Sequence, residues 1–188
     1  MKKSTSKNQE HRRAANPPSN LKMVNASLGE SPVSISSKLP RTIKIRREKG
    51  YHTHYIGRCS NGTQFMAFVV GVLPKAKKAV GRNGNLLWYA VLHLFDSQGQ
   101  HLKTQSAFLG AKAFANELVD VDATLNEIVR RLGSVRYSDV EIGLFSVQID
   151  GHKFGLVDAS IPKEGYQRID LLPNQLVFFP PWDGTYST

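Results

Sequence analysis

Cysteine is nearly missing from this chain: Cys59 is the only one in 188 residues. One thiol excludes an intramolecular disulfide framework and any all-cysteine zinc site, and it fits a reducing compartment. Long apolar runs are missing too. The longest, Phe65–Leu73, is too short to cross a bilayer and reads as a buried strand. No secretory leader is readable, because polar residues follow the basic start Met1-Lys2-Lys3 where an apolar stretch would stand. The sequence also lacks a Gly-x-Ser-x-Gly elbow, a P-loop, a dinucleotide fingerprint and a helix-turn-helix pattern. A cytoplasmic protein with no membrane association and no cofactor is the expectation.

What is present suits one domain with a sizeable core, since 40% of the residues are hydrophobic. A net charge of +10 raises the question of a nucleic-acid partner. Its distribution weakens that idea. Residues 1–38 hold seven Lys/Arg against two Asp/Glu, and the other 150 residues hold 18 against 13. Half of the excess therefore sits in about a fifth of the chain. Residues 1–37 are rich in Ser, Asn, Lys and Pro without apolar periodicity, and read as a disordered basic tail. The tail is either a solubilising extension, an over-long start with initiation at Met23, or a weak nucleic-acid arm. Residues 38–188 read as a single domain.

From Leu39 the pattern becomes regular. Ile43 and Ile45 alternate with Thr42, Lys44 and Arg46, as in a half-exposed edge strand. Three hairpin signals follow. Asn61-Gly62 joins Tyr51–Ser60 to Thr63–Leu73, and Asp96–Gly99 joins Trp88–Phe95 to Gln100–Leu109. Asp150-Gly151 joins Val140–Ile149 to His152–Ala159, and a last strand spans Gln175–Phe179. Phe114, Leu118, Val121, Leu125, Ile128 and Leu132 form one helical stripe, with Gly133 placed to cap its end. Phe65–Leu73 and Trp88–Phe95 are apolar on both faces, as central strands covered on two sides. The expectation is an α+β domain: a curved, mainly antiparallel sheet built from three hairpins, with one principal amphipathic helix.

Two apart on a strand, His52 and His54 would share a face, and His93 with His101 or Asp96 could complete a metal site. A rim position without ligand duty is the plainer reading of the same histidines. Lys49-Gly50-Tyr51 opens like an RNA-recognition signature, but His52 and Thr53 stand where a small residue and a stacking aromatic are needed. Lys75, Lys77, Lys78 and Arg82, with Gly81 and Gly84, form a basic loop that is either an anion cradle or a solvated connection. Asp139, Glu141, Asp158 and Asp170 are scattered carboxylates. Near the end, Pro180 to Tyr186 holds Trp182, Asp183 and Tyr186 on a stiff, turn-prone segment. That segment is either a partner-binding edge or a stretch that folds back on the body.

Tyr51-His52-Thr53-His54-x-Ile56-Gly57-Arg58, Gln64-Phe65-Met66-Ala67, Trp88-Tyr89-Ala90-Val91-Leu92-His93-x-Phe95-Asp96, Phe154-Gly155-Leu156-Val157-Asp158 and Pro181-Trp182-Asp183-Gly184-x-Tyr186 together carry a family resemblance. Over residues 39–188 the chain resembles bacterial formate hydrogenlyase regulatory proteins. That resemblance implies a cytoplasmic regulator opposing a transcriptional activator of an anaerobic formate-oxidising system, and it supplies no catalytic residues. The leading expectation is a non-enzymatic module acting by protein–protein contact through a sheet edge, the Trp182/Tyr186 segment, or both. The alternatives are a metal-assisted or hydrolytic enzyme centred on His52, His54 and His93, and weak nucleic-acid binding through the tail and the Lys75–Arg82 loop.

Overall fold

A computed structural model describes residues 39–75, 86–111 and 120–188. The basic tail, Lys77, Lys78 and Arg82 of the loop, and Phe114 and Leu118 of the helical stripe lie outside the described residues. Twelve strands and one α-helix are described: β1 (Thr42–Ile45), β2 (Tyr55–Cys59), β3 (Gln64–Val72), β4 (Leu87–Phe95), β5 (His101–Gly110), α1 (Val121–Arg130), β6 (Val135–Tyr137), β7 (Val140–Gly143), β8 (Phe145–Ile149), β9 (His152–Asp158), β10 (Ile169–Leu172), β11 (Leu176–Phe178) and β12 (Tyr186–Ser187). All strand pairs are antiparallel. The class is α+β, mostly β, with one helix.

The strands divide among three ladders. The first sheet runs β5-β4-β3-β2-β6, the second runs β12-β11-β10-β9-β8, and β1 pairs with β7 alone. Pleat alternation explains the layering. Met66, Phe68, Val70 and Val72 of β3, with Tyr89, Val91 and Phe95 of β4, face one interior shared with Phe154, Leu156, Ile169 and Leu171 of the second sheet. Ile43, Ile45, Val140 and Ile142 of the β1–β7 ladder close the same interior. The opposite face of the first sheet offers Phe65, Ala67, Leu92 and Leu94 to Leu125 and Val129 of α1. Both central strands are thus buried on both faces, as their composition requires.

Helix α1 starts where the Asp120 carboxylate accepts a hydrogen bond from the Ala123 N–H at 2.9 Å. Its last turn closes through the Gly133 N–H, which donates to the Arg130 carbonyl, with Gly133 in the left-handed region.

Three expectations need correction. The Asn61-Gly62 hairpin is not a two-residue turn. Cys59 N–H donates to Thr63 O, Gly62 takes positive φ, and the Asn61 side chain accepts from Thr63 N–H, so the loop is one residue longer. The slip sets Arg58 opposite Gln64 instead of Phe65. Val140–Ile149 is two strands, parted at Leu144. Here the Gly143 N–H donates to Gly99 O, and β7 turns to pair with β1 while β8 joins β9. Tyr51–His54 is a turn and not a strand, because the Tyr51 N–H donates to Glu48 O and the His54 N–H to Tyr51 O. The Asp150-Gly151 hairpin matches its expectation: Ile149 pairs with His152 and both turn residues have positive φ.

Strand β6 was not foreseen, and it depends on one glycine. Gly57 lies opposite Tyr137, and a Cβ there would run into the Arg136 carbonyl oxygen. Gly57→Ala is expected to cost about 1–3 kcal/mol, since the clash is with backbone and cannot be relieved by a rotamer change. Urea unfolding checks this: the midpoint should fall at constant m-value, and an unmoved midpoint would mean that β6 shifts freely.

Candidate functional site

The turn at Tyr51–His54 forms one wall of a cleft of about 360 Å³, which also takes in Tyr55, Asp122 of α1 and Asn174 from the β10–β11 turn. Several bonds hold the turn. Thr53, which is buried, accepts the Glu48 N–H at 3.0 Å, and His54 Nδ1 accepts the Gly50 N–H. The Arg47 guanidinium donates to the His54 carbonyl at 2.9 Å and lies over the Tyr137 ring. Tyr55 donates its phenol proton to the Asp122 carboxylate at 2.9 Å, which ties the first turn of α1 to β2. Burial, and then the Asp122 contact, push the Tyr55 phenol up to about 12. Asn174 Oδ1 is buried with no hydrogen-bond partner. The cleft therefore offers rings and amide or imidazole hydrogen bonds, and among the described residues neither of its imidazoles is paired with a carboxylate.

His52, His54 and His93 do not form a site. His54 stands on the helix side of the first sheet, beside Ala67 and Leu125. His93 pairs with Met66 and points into the other interior, among Phe68, Phe95 and Phe145. The sheet separates them because the turn before β2 carries His54 to the helix-side cleft, whereas His93 shares the pleat face of Met66, Val91 and Phe95. His101 and Asp96 do not complete a metal cage either: His101 stacks flat on Phe145, and the Asp96 carboxylate caps its turn by accepting from the Gln98 and Gln100 N–H groups. Among the described residues no three His, Cys, Asp or Glu are grouped to hold a metal ion.

His93 is instead a buried imidazole joined to the surface through a hydroxyl. Its Nδ1 lies 2.7 Å from Thr104 Oγ1, which lies 2.9 Å from His101 Nε2, while His93 Nε2 has no partner. Burial, and then the nearby His101, lower the His93 pKa to about 3. Burial lowers His101 as well.

The remaining candidates are each accounted for by their contacts. Burial raises the Cys59 thiol, which makes it a poor nucleophile. Asp139 accepts from Lys44 and from the Arg47 N–H, Asp158 accepts from the Ser160 N–H, and Asp170 pairs with Arg168. Glu141 presents its backbone to the buried Gln64 side chain, which donates to Glu141 O at 2.8 Å and accepts from Glu141 N–H at 2.9 Å. Lys75 lies beside Gly151 of the β8–β9 turn.

The C-terminal segment folds back as a strap across β1. Trp182 packs against the shared interior, and Asp183 meets the Arg46 guanidinium at 3.4 Å. The Arg46 N–H donates to Gly184 O, and Tyr186 donates to Glu48 at 3.0 Å while stacking with Tyr51. Its two aromatics are thereby occupied within the chain.

An exposed surface lies on β5, at one end of the first sheet. Among the described residues no strand pairs with its outer edge. Gln105 to Phe108 are exposed on both faces, Phe108 is 57% exposed, and Leu102, 56% exposed, rims a concavity of about 340 Å³ with Leu94, Leu132 and Lys103. No protein-family model, curated protein or solved structure matches the chain. Among the described residues no helix is long and apolar enough to cross a membrane.

Sequence reasoning singled out Tyr51–Tyr55, as part of a strand, but missed Asp122 and Asn174, which reach the cleft only through the packing of α1 and the β10–β11 turn. Asp122 carried a faint signal, a carboxylate in the first turn of a helix. Asn174 carried none.

Two predictions follow from this geometry. Folded His93 stays neutral to about pH 3, whereas the unfolded chain takes up that proton near 6.5. The resulting stability is complete above 6.5 and is lost as pH falls toward 3, at about 1.4 kcal/mol per pH unit. Urea titrations across that window should show the slope in the wild type and a shallower one in His93→Leu; equal slopes would contradict it. Trp182→Ala is expected to cost about 2 kcal/mol through lost packing. Asp183→Asn should leave the thermal midpoint nearly unmoved, because its ion pair is solvated. Calorimetry of both variants checks this, and a harmless Trp182→Ala would mean the strap contributes nothing to the fold.

Proposed function

We propose that this protein is a non-enzymatic binding module that recognises an extended segment of a protein partner along β5. The observation that carries the reading is the outer edge of a ten-residue strand, on which no strand pairs among the described residues, with Gln105 to Phe108 exposed on both faces and Leu102 exposed beside them. A free edge of that length is a template for strand addition unless it is covered or charged, and Lys103 is the only full charge on it. Main-chain hydrogen bonds would supply affinity, and the concavity beside Leu102 would accept a partner side chain. The resemblance of residues 39–188 to formate hydrogenlyase regulatory proteins extends the reading to a cytoplasmic regulator that restrains a transcriptional activator by contact.

The reading is tested by capture from extracts at moderate salt, with the full-length chain as bait. Replacing both exposed apolar residues, Leu102→Glu with Phe108→Glu, should reduce recovery of the partner about tenfold or more, as for the loss of interface anchors. The thermal midpoint should change little, since both side chains are more than half exposed. Undiminished recovery would overturn the β5 assignment. Metal-dependent turnover by the wild type would favour an enzyme. Binding that collapses with salt and requires residues 1–37 would favour a nucleic-acid arm.

A further inference from the structure

The register at Gly57 sets two arginines directly opposite each other, Arg58 on β2 and Arg136 on β6. Directly opposed residues of an antiparallel pair project from the same face with Cβ atoms about 5 Å apart, and like charges there repel. The fold supplies carboxylates to Lys44, Arg46, Arg130, Arg131 and Arg168. It supplies none to Arg58 or Arg136 among the described residues. Arg58 is also half-buried, so part of its hydration is lost without an opposing charge.

Arg58 and Arg136 both line one open concavity of about 440 Å³, with Ser60, Ser134 and Cys59 beside them at the β2–β3 turn and the entry to β6. The Ser60 N–H donates to the Ser134 carbonyl at 3.2 Å, which joins the two walls. Neither serine hydroxyl has a protein partner among the described residues.

We propose that Arg58 and Arg136 together bind a phosphoryl group. Two guanidinium forks offer paired N–H donors to its oxygens, and Ser60 and Ser134 line the same concavity. The charge count favours phosphate over a carboxylate. A phosphate monoester carries close to two negative charges at neutral pH and offsets both arginines, whereas a carboxylate leaves one uncompensated. A nucleic-acid track is the weaker match, since the lining has no aromatic ring on which a base could stack. The site is at the opposite end of the first sheet from β5 and does not depend on the β5 reading.

The test uses the full-length chain at constant ionic strength, titrated with inorganic phosphate and separately with a phosphoserine peptide and its unphosphorylated form. Binding heat and thermal midpoint are read for the wild type, Arg136→Gln, Arg58→Lys and the control Lys153→Gln, an exposed side chain of β9. Arg136→Gln should weaken binding about tenfold or more and remove the midpoint shift, and Arg58→Lys should weaken it for want of the planar fork. Lys153→Gln should bind as the wild type does. Without phosphate, Arg136→Gln should melt at or above the wild-type temperature, because it relieves the opposed charges. Arg136-dependent binding of inorganic phosphate assigns a small phosphorylated ligand, and such binding of the phosphopeptide alone assigns a phosphorylated protein. Equal midpoint shifts in wild type and Arg136→Gln, no binding of either probe, or oligonucleotide binding that ignores Arg136 would overturn the proposal.

Discussion

Burying both faces of β3 and β4 is the constraint on which the rest of the structure depends. A strand with apolar side chains on both pleat faces needs a cover on each side, and here the covers differ. The second sheet and the β1–β7 ladder close one face, while α1 closes the other. Gln64 joins β3 to the ladder from inside. Its amide is buried and donates to the Glu141 and Asp96 carbonyls while accepting the Glu141 N–H, so β7 meets β3 without an unpaired polar group at the junction.

The layers are further tied by three phenol–carboxylate bonds. Tyr55 reaches Asp122 on the helix, Tyr89 reaches Asp150 in the β8–β9 turn, and Tyr186 reaches Glu48. In each, burial and the carboxylate push the phenol up to about 12, so the proton stays on the tyrosine and the bond keeps its charge-assisted form. These ties hold the rim of the cleft and the C-terminal strap. The two ends of the first sheet differ in character. At one end, β5 exposes Leu102 and Phe108 and has no strand on its outer edge among the described residues; at the other, β6 sets Arg136 opposite Arg58.

The candidate site was legible only in part. Tyr51 to Tyr55 could be singled out because aromatics and imidazoles cluster there along the chain. Their geometry was not readable, since one residue of turn length decides strand against turn and reverses the pleat face of everything beyond it. His93 illustrates the limit. Its neighbours on β4 marked it as a residue of a buried strand, but only the second sheet determined that its ring would sit among Phe68, Phe95 and Phe145. The pairing of Arg58 with Arg136 had no local signal at all, because 77 residues lie between them and no periodicity links them.

The sequence by itself determined the class, the two doubly buried strands, the amphipathic face of α1 and the Asp150-Gly151 turn, because pleat alternation, helical spacing and turn chemistry act over a few neighbours. Tertiary structure alone decided that Val140–Ile149 divides between two ladders, that β6 and β12 form, and which side chains share a cleft. Those outcomes rest on close backbone approaches, such as Gly57 against Arg136 and Gly143 against Gly99, between segments far apart in the chain. A local pattern shows where such an approach is sterically permitted. It does not say which strand will arrive.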